Sequence, residues 1–298
     1  MIDQGLKSKS KHIDSFLRKE PKVLKKLDEM VEQTNEFALK QHLFYNLLRL
    51  TSDVQTFRTD LVGYLANDVK LAKAIVKKAK QMSKRNTSLF LTTKITRSDL
   101  RKSIEDIGYG AVHNELQAHY AKQYIDLYNS RKEAELKQQV KKSVRMAFLA
   151  VEIAKLVKYK DITSVFFAAM NYHIGEMVLF MRDQKRYHEY KKLVQKGLAE
   201  KTAELVSFGF DLGELASKML TRWQMPEHIT DVIANKENPE EIRYENKQLN
   251  MILKFTSYMM KAMETKTASP KSLWSLASDY LEKFETKMDA DEWQEAIK

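Results

Sequence analysis

The residues that could carry chemistry in this 298-residue chain are few and scattered. Its seven histidines never stand three or four positions apart, the spacing at which one helix face presents two metal ligands. It contains no cysteine, which excludes thiolate zinc sites, iron–sulfur clusters and cysteine nucleophiles. A glycine-rich phosphate loop, a Gly-x-Ser-x-Gly nucleophile motif and a His-Glu-x-x-His zinc helix are also missing from the sequence.

One polar cluster interrupts an otherwise apolar stretch. Asn171, Tyr172 and His173 stand inside the segment 162–181, which is apolar on nearly every side. Such a pattern predicts a fully buried helix over 162–181. Because buried polar groups must be hydrogen-bonded or serve a function, His173 is the one histidine that we single out as a candidate site residue.

The composition predicts a helical protein. The chain has only 8 glycines and 4 prolines, and more than 200 residues separate Pro21 from Pro226. A β-rich chain of this length would need many turns, and turns recruit glycine and proline. Amphipathic helical periodicity runs along most of the sequence, with a helix end predicted at Gly108 and a helix N-cap at Asp68. The segment 83–96 is predicted to be a loop with an extended piece.

The sequence also bounds the cellular location. The N-terminus lacks the apolar core of a signal peptide. The longest apolar runs, such as 165–170, are short of the ~20 residues that cross a bilayer. The absence of cysteine fits a reducing compartment. We therefore expect a soluble, cytoplasmic chain without a membrane span.

The formal charge of +11 is unevenly distributed. No acidic residue stands between Asp68 and Asp99, and a row of lysines at helical spacing occupies one side of this segment. We call this row the lysine stripe, and its members are Lys70, Lys73, Lys77, Lys80 and Lys84. Two interpretations stay open: a solvated helix face, or a surface that binds a polyanion such as nucleic acid. The stripe contains lysine rather than the arginine that bidentate phosphate readout prefers, which favours the solvated face.

Several passages, in order along the chain, resemble the HDOD family, the HD-related output domain of bacterial signalling proteins. The segment 168–179 is similar to the core helix of the HD superfamily of metal-dependent phosphohydrolases, in which a His-Asp pair precedes Ile-Gly. Trp223 and Pro226 stand in a passage similar to the family's Leu-x-x-Trp-x-Leu-Pro. Further similar passages lie at 65–71, 86–88, 95–108 and 209–216.

The resemblance implies positions at which catalytic relatives place metal ligands, and this chain departs from them. Tyr172 and His173 stand at the His-Asp pair, Lys142 at an upstream histidine, and Leu212 at the histidine of an Asp-His motif. Lys236 and Glu237 stand at a final histidine pair. Two of these positions have become cationic and would repel a divalent ion, while one has become apolar. We expect no catalytic residue, no metal and no cofactor.

What remains at these positions is a candidate ligand site of five residues: Lys142, Tyr172, His173, Lys236 and Glu237. Two interpretations stay open. The residues could form internal ion pairs and hydrogen bonds that hold the fold together, or a relic pocket in which Lys142 and Lys236 bind a small anion.

The resemblance implies an all-α, multi-helix HD-domain-like bundle with an N-terminal helical lobe. The expected organisation is an N-terminal helical extension at 1–30, an HDOD-like domain at 31–265 and a C-terminal helical extension at 266–298. Within the domain we expect the lobe at 31–125 and the HD-like core at 130–265.

Three functions are compatible with this sequence. The resemblance favours a non-catalytic regulatory protein of bacterial signal transduction that binds a protein partner or a small ligand. The alternatives are a divergent phosphohydrolase acting on nucleotides or phosphoesters, and nucleic-acid binding through the basic segment 70–97. The sequence does not indicate an oligomeric state.

Overall fold

The computed structural model describes five stretches of the chain: residues 21–34, 40–52, 58–83, 95–129 and 133–264. Within them, every regular element is an α-helix or a short 3₁₀ turn, and there is no strand. The predicted all-α fold is confirmed.

Parts of several predictions lie outside the described residues. These are most of the N-terminal extension, at 1–20, and the whole C-terminal extension at 266–298. Most of the predicted loop, at 84–94, lies outside them as well, together with Lys84 of the lysine stripe and the family-like passage at 86–88.

The chain divides into two compact units. The inserted unit is Leu39–Ser130, and the main unit combines Met1–Ala38 with Arg131–Lys298. The described part of the inserted unit contains four helices: α2 (Gln41–Ser52), α3 (Arg58–Ala66), α4 (Val69–Ser83) and α5 (Arg97–Asn129). Helix α1 (Pro21–Glu32) belongs to the main unit.

Local sequence signals fix the helix ends of the inserted unit. Asp68 caps α4 as predicted, because its carboxylate accepts the amide N–H of Leu71 at 3.0 Å. Thr96 and Asp99 form a reciprocal capping box at the start of α5, each side chain accepting the other's amide N–H. The Thr96 hydroxyl also donates to the Asp99 carboxylate at 2.7 Å, and this bond, followed by the one from the Thr96 amide, holds the pKa of Asp99 below its ordinary value.

Gly108 divides α5, as the glycine in the sequence predicted. Its φ of 76° and ψ of 162° are not helical, and the chain resumes a helix directly afterwards. The second half of α5 buries Tyr120, Tyr124 and Tyr128, which are spaced by four residues and therefore lie along one face. The ring of Phe44 on α2 packs 5.2 Å from that of Tyr120 and joins the two helices.

The main unit contains the remaining helices. After α1 they are α6 (Ala134–Leu156), α7 (Ile162–Met170), α8 (Ile174–Arg182), α9 (Gln184–Gln195), α10 (Glu200–Phe208), α11 (Leu212–Arg222), α12 (Glu227–Ala234) and α13 (Lys247–Glu264). Short 3₁₀ turns at Pro239–Glu241 and Tyr244–Asn246 connect α12 to α13. Helix α7 lies at the centre, where residues Thr163 through Met170 are all buried.

The prediction of one continuous helix over 162–181 is wrong. The structure ends α7 at Met170, turns through residues 171–173 and starts α8 at Ile174. Here the backbone hydrogen bonds shorten from four residues to three: the amide N–H of Tyr172 donates to the carbonyl of Ala169, and that of Ile174 to the carbonyl of Asn171. The polar cluster in the sequence is therefore a turn between two helices.

The apolar segment around this turn is longer than the run 165–170 that was compared with the length of a membrane span. Ile162–Arg182 is long and apolar enough to span a membrane by composition, yet 83% of its most apolar window is buried inside the protein. Such burial is typical of the core of a soluble protein, and the expectation of solubility is consistent with it.

Two glycines allow α8, α11 and α12 to approach closely. A Cβ atom at Gly175 would lie less than 3.0 Å from the carbonyl oxygen of Leu212, at the start of α11. A Cβ atom at Gly213 would clash in the same way with the carbonyl oxygen of Ala234, at the end of α12. Because backbone atoms cannot yield as a flexible side chain can, both positions require glycine.

We predict that Gly175→Ala lowers the free energy of unfolding by about 1–3 kcal/mol, the usual cost of forcing an extra methyl group into a packed interior. Urea denaturation followed by circular dichroism measures the change. Gly110→Ala is the matched control, because nothing lies within 4 Å of its added Cβ. Equal stability of Gly175→Ala and Gly110→Ala would contradict the role given to this close approach.

Candidate functional site

The structure brings the five predicted site residues to one cavity of about 220 Å³ in the main unit. Lys142 comes from α6, Tyr172 and His173 from the turn between α7 and α8, and Lys236 and Glu237 from the segment after α12. Leu212, at the first position of α11, also lines the cavity. Residues distant in sequence therefore meet where the family resemblance expected a metal site.

The cavity includes residues that the sequence reading missed. Glu176, Lys191 and Glu204 line it from α8, α9 and α10. Helix α13 adds a complete face, whose members are Lys254, Ser257, Tyr258 and Lys261. Their spacing of three, four and seven residues puts them on one side of a helix, a signal visible in the sequence. Periodicity alone could not show that this side faces the cavity.

Lys236 ties the end of α12 to the turn after α7. Its ammonium group donates a hydrogen bond to the carbonyl oxygen of Tyr172 at 3.0 Å. The same group lies 4.8 Å from the centre of the Tyr172 ring, within the range of a cation–π interaction. Lys236 thus makes two contacts with one residue at a position where catalytic relatives are expected to carry a metal ligand.

His173 is a neutral imidazole. Burial, followed by the charge of Lys236, lowers its pKa to about 3, although Glu176 acts in the opposite direction. Its Nδ1 lies 3.7 Å from a carboxylate oxygen of Glu176, while its Nε2 is buried and has no hydrogen-bond partner among the described residues. An orphaned buried nitrogen beside a cavity is a polar group that a ligand or a water could satisfy.

Glu176 and Lys191 form an ion pair at the wall of the cavity. The Lys191 ammonium donates to a Glu176 carboxylate oxygen at 2.6 Å. Burial alone would raise the pKa of Glu176, but the electrostatic interaction with the His173 ring, the charge of Lys191 and the hydrogen bond from Lys191 hold it below its ordinary value. Glu176 is therefore an ionised carboxylate whose charge Lys191 already neutralises.

Glu204 is a second carboxyl group at the cavity, and its pKa is raised where that of Glu176 is lowered. It accepts the amide N–H of Leu212 at 2.9 Å, at the start of α11. Burial raises its pKa to about 7, because the hydrogen bond from Leu212 and the charge of Lys236 offset only part of the desolvation, and Asp211 and Glu176 add to the rise. Near neutral pH the group is only partly ionised.

These side chains do not fit a divalent metal ion. Among the residues that the structure describes, no group of three or more histidine, aspartate or glutamate side chains is placed to hold one. Lys142, Leu212 and Lys236 line the cavity in place of the expected ligands, and the ammonium groups would repel a cation. Any chemistry at this cavity would have to proceed without a two-metal centre.

The lysine stripe lies in the inserted unit, on α4. Lys70, Lys73 and Lys77 are exposed and form no ion pair within the described stretches, whereas Lys80 is half-buried and does have an interaction partner. The stripe is thus a separate basic surface, and none of its residues lines the cavity of the main unit.

We predict that Glu204→Gln stabilises the protein in a pH-dependent manner. A carboxyl group with a raised folded pKa binds its proton more tightly in the folded state, so its ionisation destabilises the fold increasingly from about pH 4.5 to pH 7. Glutamine keeps an acceptor for Leu212 without the charge. The unfolding free energy of the variant should match that of the parent near pH 4.5 and exceed it by about 2–3 kcal/mol at pH 8.

Chemical denaturation at the two pH values measures this difference. Glu237→Gln is the control, since Glu237 lines the same cavity but is exposed. A difference for Glu204→Gln that does not change between pH 4.5 and pH 8 would contradict the buried, partly protonated carboxyl group.

The fold is shared with solved structures of bacterial proteins. A putative phosphohydrolase from Shewanella amazonensis SB2B aligns with a TM-score of 0.60 at 15% identity, over 92% of this chain and 91% of its own. An HDOD domain protein of unknown function from Geobacter sulfurreducens aligns with a TM-score of 0.52 at 19% identity, over 72% and 70% of the two chains. At these identities the likeness shows the fold alone. No curated protein matches the chain.

The sequence itself matches the model of the HDOD domain over residues 39–239. The match covers more than half of the chain and includes the segments that contribute Lys142, Tyr172, His173, Leu212 and Lys236 to the cavity. The resemblance inferred from the motifs is therefore confirmed. This chain belongs to the HDOD family.

Proposed function

We propose that this chain is a non-catalytic regulatory protein of bacterial signal transduction, which acts by binding and not by hydrolysis. The observation that carries the proposal is the set of charges at the cavity. Lys142 and Lys236 stand where the family resemblance places metal ligands, and both line the cavity. The HD-type reaction needs a metal to bind the phosphate and activate a water, and these side chains offer no ligand for it.

The binding function has two parts. Contact with a partner protein in the cytoplasm is the mode that the family resemblance favours, because this chain shows no receiver, cyclase or phosphodiesterase motif of its own. The cavity offers a second mode, in which a small ligand changes the surface that the partner contacts. Both modes leave the chain without a covalent step of its own.

The cavity predicts that the protein contains no catalytic metal. Purified without chelators, it should carry well under one equivalent of Mn, Fe, Co, Ni or Zn by plasma mass spectrometry. It should hydrolyse neither p-nitrophenyl phosphate nor nucleotides above the uncatalysed rate when any of these metals or Mg is added. Near-stoichiometric metal together with turnover would overturn the proposal in favour of the phosphohydrolase alternative.

A positive control and a matched variant sharpen this measurement. A metal-dependent HD phosphohydrolase, purified and assayed in parallel, shows that the procedure preserves bound metal. If turnover is seen, Lys236→Ala separates the cavity from a contaminant, because an activity of this cavity must respond to a side chain at its wall, whereas a contaminating enzyme must not.

Nucleic-acid binding through the lysine stripe is the second candidate. It rests on the exposed ammonium groups of Lys70, Lys73 and Lys77, which form no ion pair with any residue that the structure describes, on a helix that carries no acidic residue. The same helix carries no arginine, and lysines on a solvated helix face are common, so we favour the solvated face.

The solvated face predicts that Lys73→Glu/Lys77→Glu binds duplex DNA or RNA as weakly as the parent protein does. Fluorescence anisotropy at about 50 and 200 mM salt provides the measurement, because phosphate contacts weaken steeply over this range. Lys185→Glu/Lys192→Glu, two exposed lysines on α9, controls for net charge. Tight, salt-sensitive binding that only the α4 variant loses would establish nucleic-acid binding instead.

A further inference from the structure

We infer that the cavity binds the phosphate group of a small phosphorylated molecule, and that Lys254, Ser257 and Lys261 on α13 supply contacts to it. The inference rests on the proposed binding function and names the ligand class. It depends on side chains of α13, which the metal positions of the family did not indicate.

Three ammonium groups at the cavity form no ion pair with a carboxylate that the structure describes. Lys191 is paired with Glu176, and Lys142 lies 3.4 Å from Glu264. Lys236, Lys254 and Lys261 form no ion pair within the described residues. Cations that line one concave surface attract and concentrate anions from solution.

The remaining carboxyl groups of the cavity do not cancel this charge. Glu204 is buried and only partly ionised near neutral pH. Glu200 and Glu237 are exposed, as Lys261 is, so water screens these three charges, whereas Lys236 and Lys254 are half-buried. Among the described residues, an anion that enters the cavity therefore meets the half-buried ammonium groups of Lys236 and Lys254, the exposed ammonium group of Lys261, and one carboxyl group that can take up a proton.

The number and kind of donors favour phosphate over a carboxylate. Lys236, Lys254 and Lys261 approach from two segments of the main unit, and Ser257 adds a hydroxyl group without a hydrogen bond among the described residues. A phosphate monoester presents three terminal oxygens and up to two charges, whereas a carboxylate presents two oxygens and one charge. Lysine binds phosphate well as a point charge and does not require the planar geometry that arginine does.

The size of the cavity indicates a small ligand. Its volume of about 220 Å³ is below the roughly 300–1,000 Å³ of sites that hold drug-sized molecules. A second cavity of about 590 Å³ shares Lys142, His173, Glu176 and Lys191 with it and adds the amide groups of Gln138 and Gln139. The second cavity is large enough for a polar organic group, and His173, whose Nε2 has no hydrogen-bond partner among the described residues, lines both cavities.

Isothermal titration calorimetry on the full chain tests the inference. The probes are inorganic phosphate, glycerol 3-phosphate and adenosine monophosphate, with acetate as the carboxylate. We expect the phosphomonoesters to bind, acetate not to bind at the same concentration, and binding to weaken as salt rises. Tighter binding of an ester than of inorganic phosphate indicates that the organic group occupies the second cavity; equal binding limits the inference to the phosphate group itself, which still supports it.

Substitutions on α13 test whether Lys254 and Lys261 contact the phosphate group. Lys254→Met/Lys261→Met should weaken phosphomonoester binding by at least about tenfold, since charged hydrogen bonds are lost. Lys254→Arg/Lys261→Arg should retain most of it. Lys185→Met/Lys192→Met removes the same charge from exposed positions on α9 and should leave it unchanged. Should the double α13 variant not fold, the single change at the exposed Lys261 gives the same comparison.

Two results overturn the inference. One is that no phosphate-bearing probe binds the parent protein. The other is that the α13 variant binds as tightly as the parent. Either leaves the non-catalytic function standing, since that function fails only if metal and turnover are found. Conversely, a metal-dependent hydrolase whose phosphate binding is unaffected by Lys254 and Lys261 would overturn both.

Discussion

The hydrogen bond from Lys236 to the carbonyl oxygen of Tyr172 holds the candidate site together. It joins the segment after α12 to the turn between α7 and α8, two parts of the main unit that are more than sixty residues apart in sequence. A metal ion at this place would connect the same segments through its ligands. Here an ammonium group makes the connection with one hydrogen bond and one cation–π contact, and the glycines at 175 and 213 allow the supporting helices to come close enough. These interactions connect the two segments without a metal.

Lysines at the positions where the family resemblance expects metal ligands also determine the electrostatics of the cavity. A metal site gathers carboxylates and imidazoles around a cation, whereas this cavity gathers ammonium groups around a neutral histidine and a partly protonated glutamate. A surface lined by ammonium groups attracts anions and repels metal cations. Under the function we propose, the absence of a metal-dependent reaction and the binding of an anion would both follow from this one arrangement of charges.

Much of the fold could be predicted from the sequence, because the signals were local. The cap at Asp68 and the helix break at Gly108 each depend on one residue and its immediate neighbours. The continuous helix over 162–181 was predicted wrongly, since hydropathy registers the apolar side chains but not the change in backbone hydrogen bonding at Tyr172 and Ile174. The site was predicted less completely. Motif positions located Lys142, Tyr172, His173, Lys236 and Glu237, but Glu204 and the α13 face come from segments with no motif, and only tertiary packing shows that they meet the others.

Burial of Glu204 makes the charge of the cavity depend on pH. A group with a pKa of about 7 exchanges its proton within the range of pH that cells experience. An anion held nearby would favour its protonated form, and by reciprocity the protonated form would hold the anion more tightly. The cavity would then take up a fraction of a proton with each ligand, and its occupancy would respond to small changes of pH without any histidine acting as the sensor.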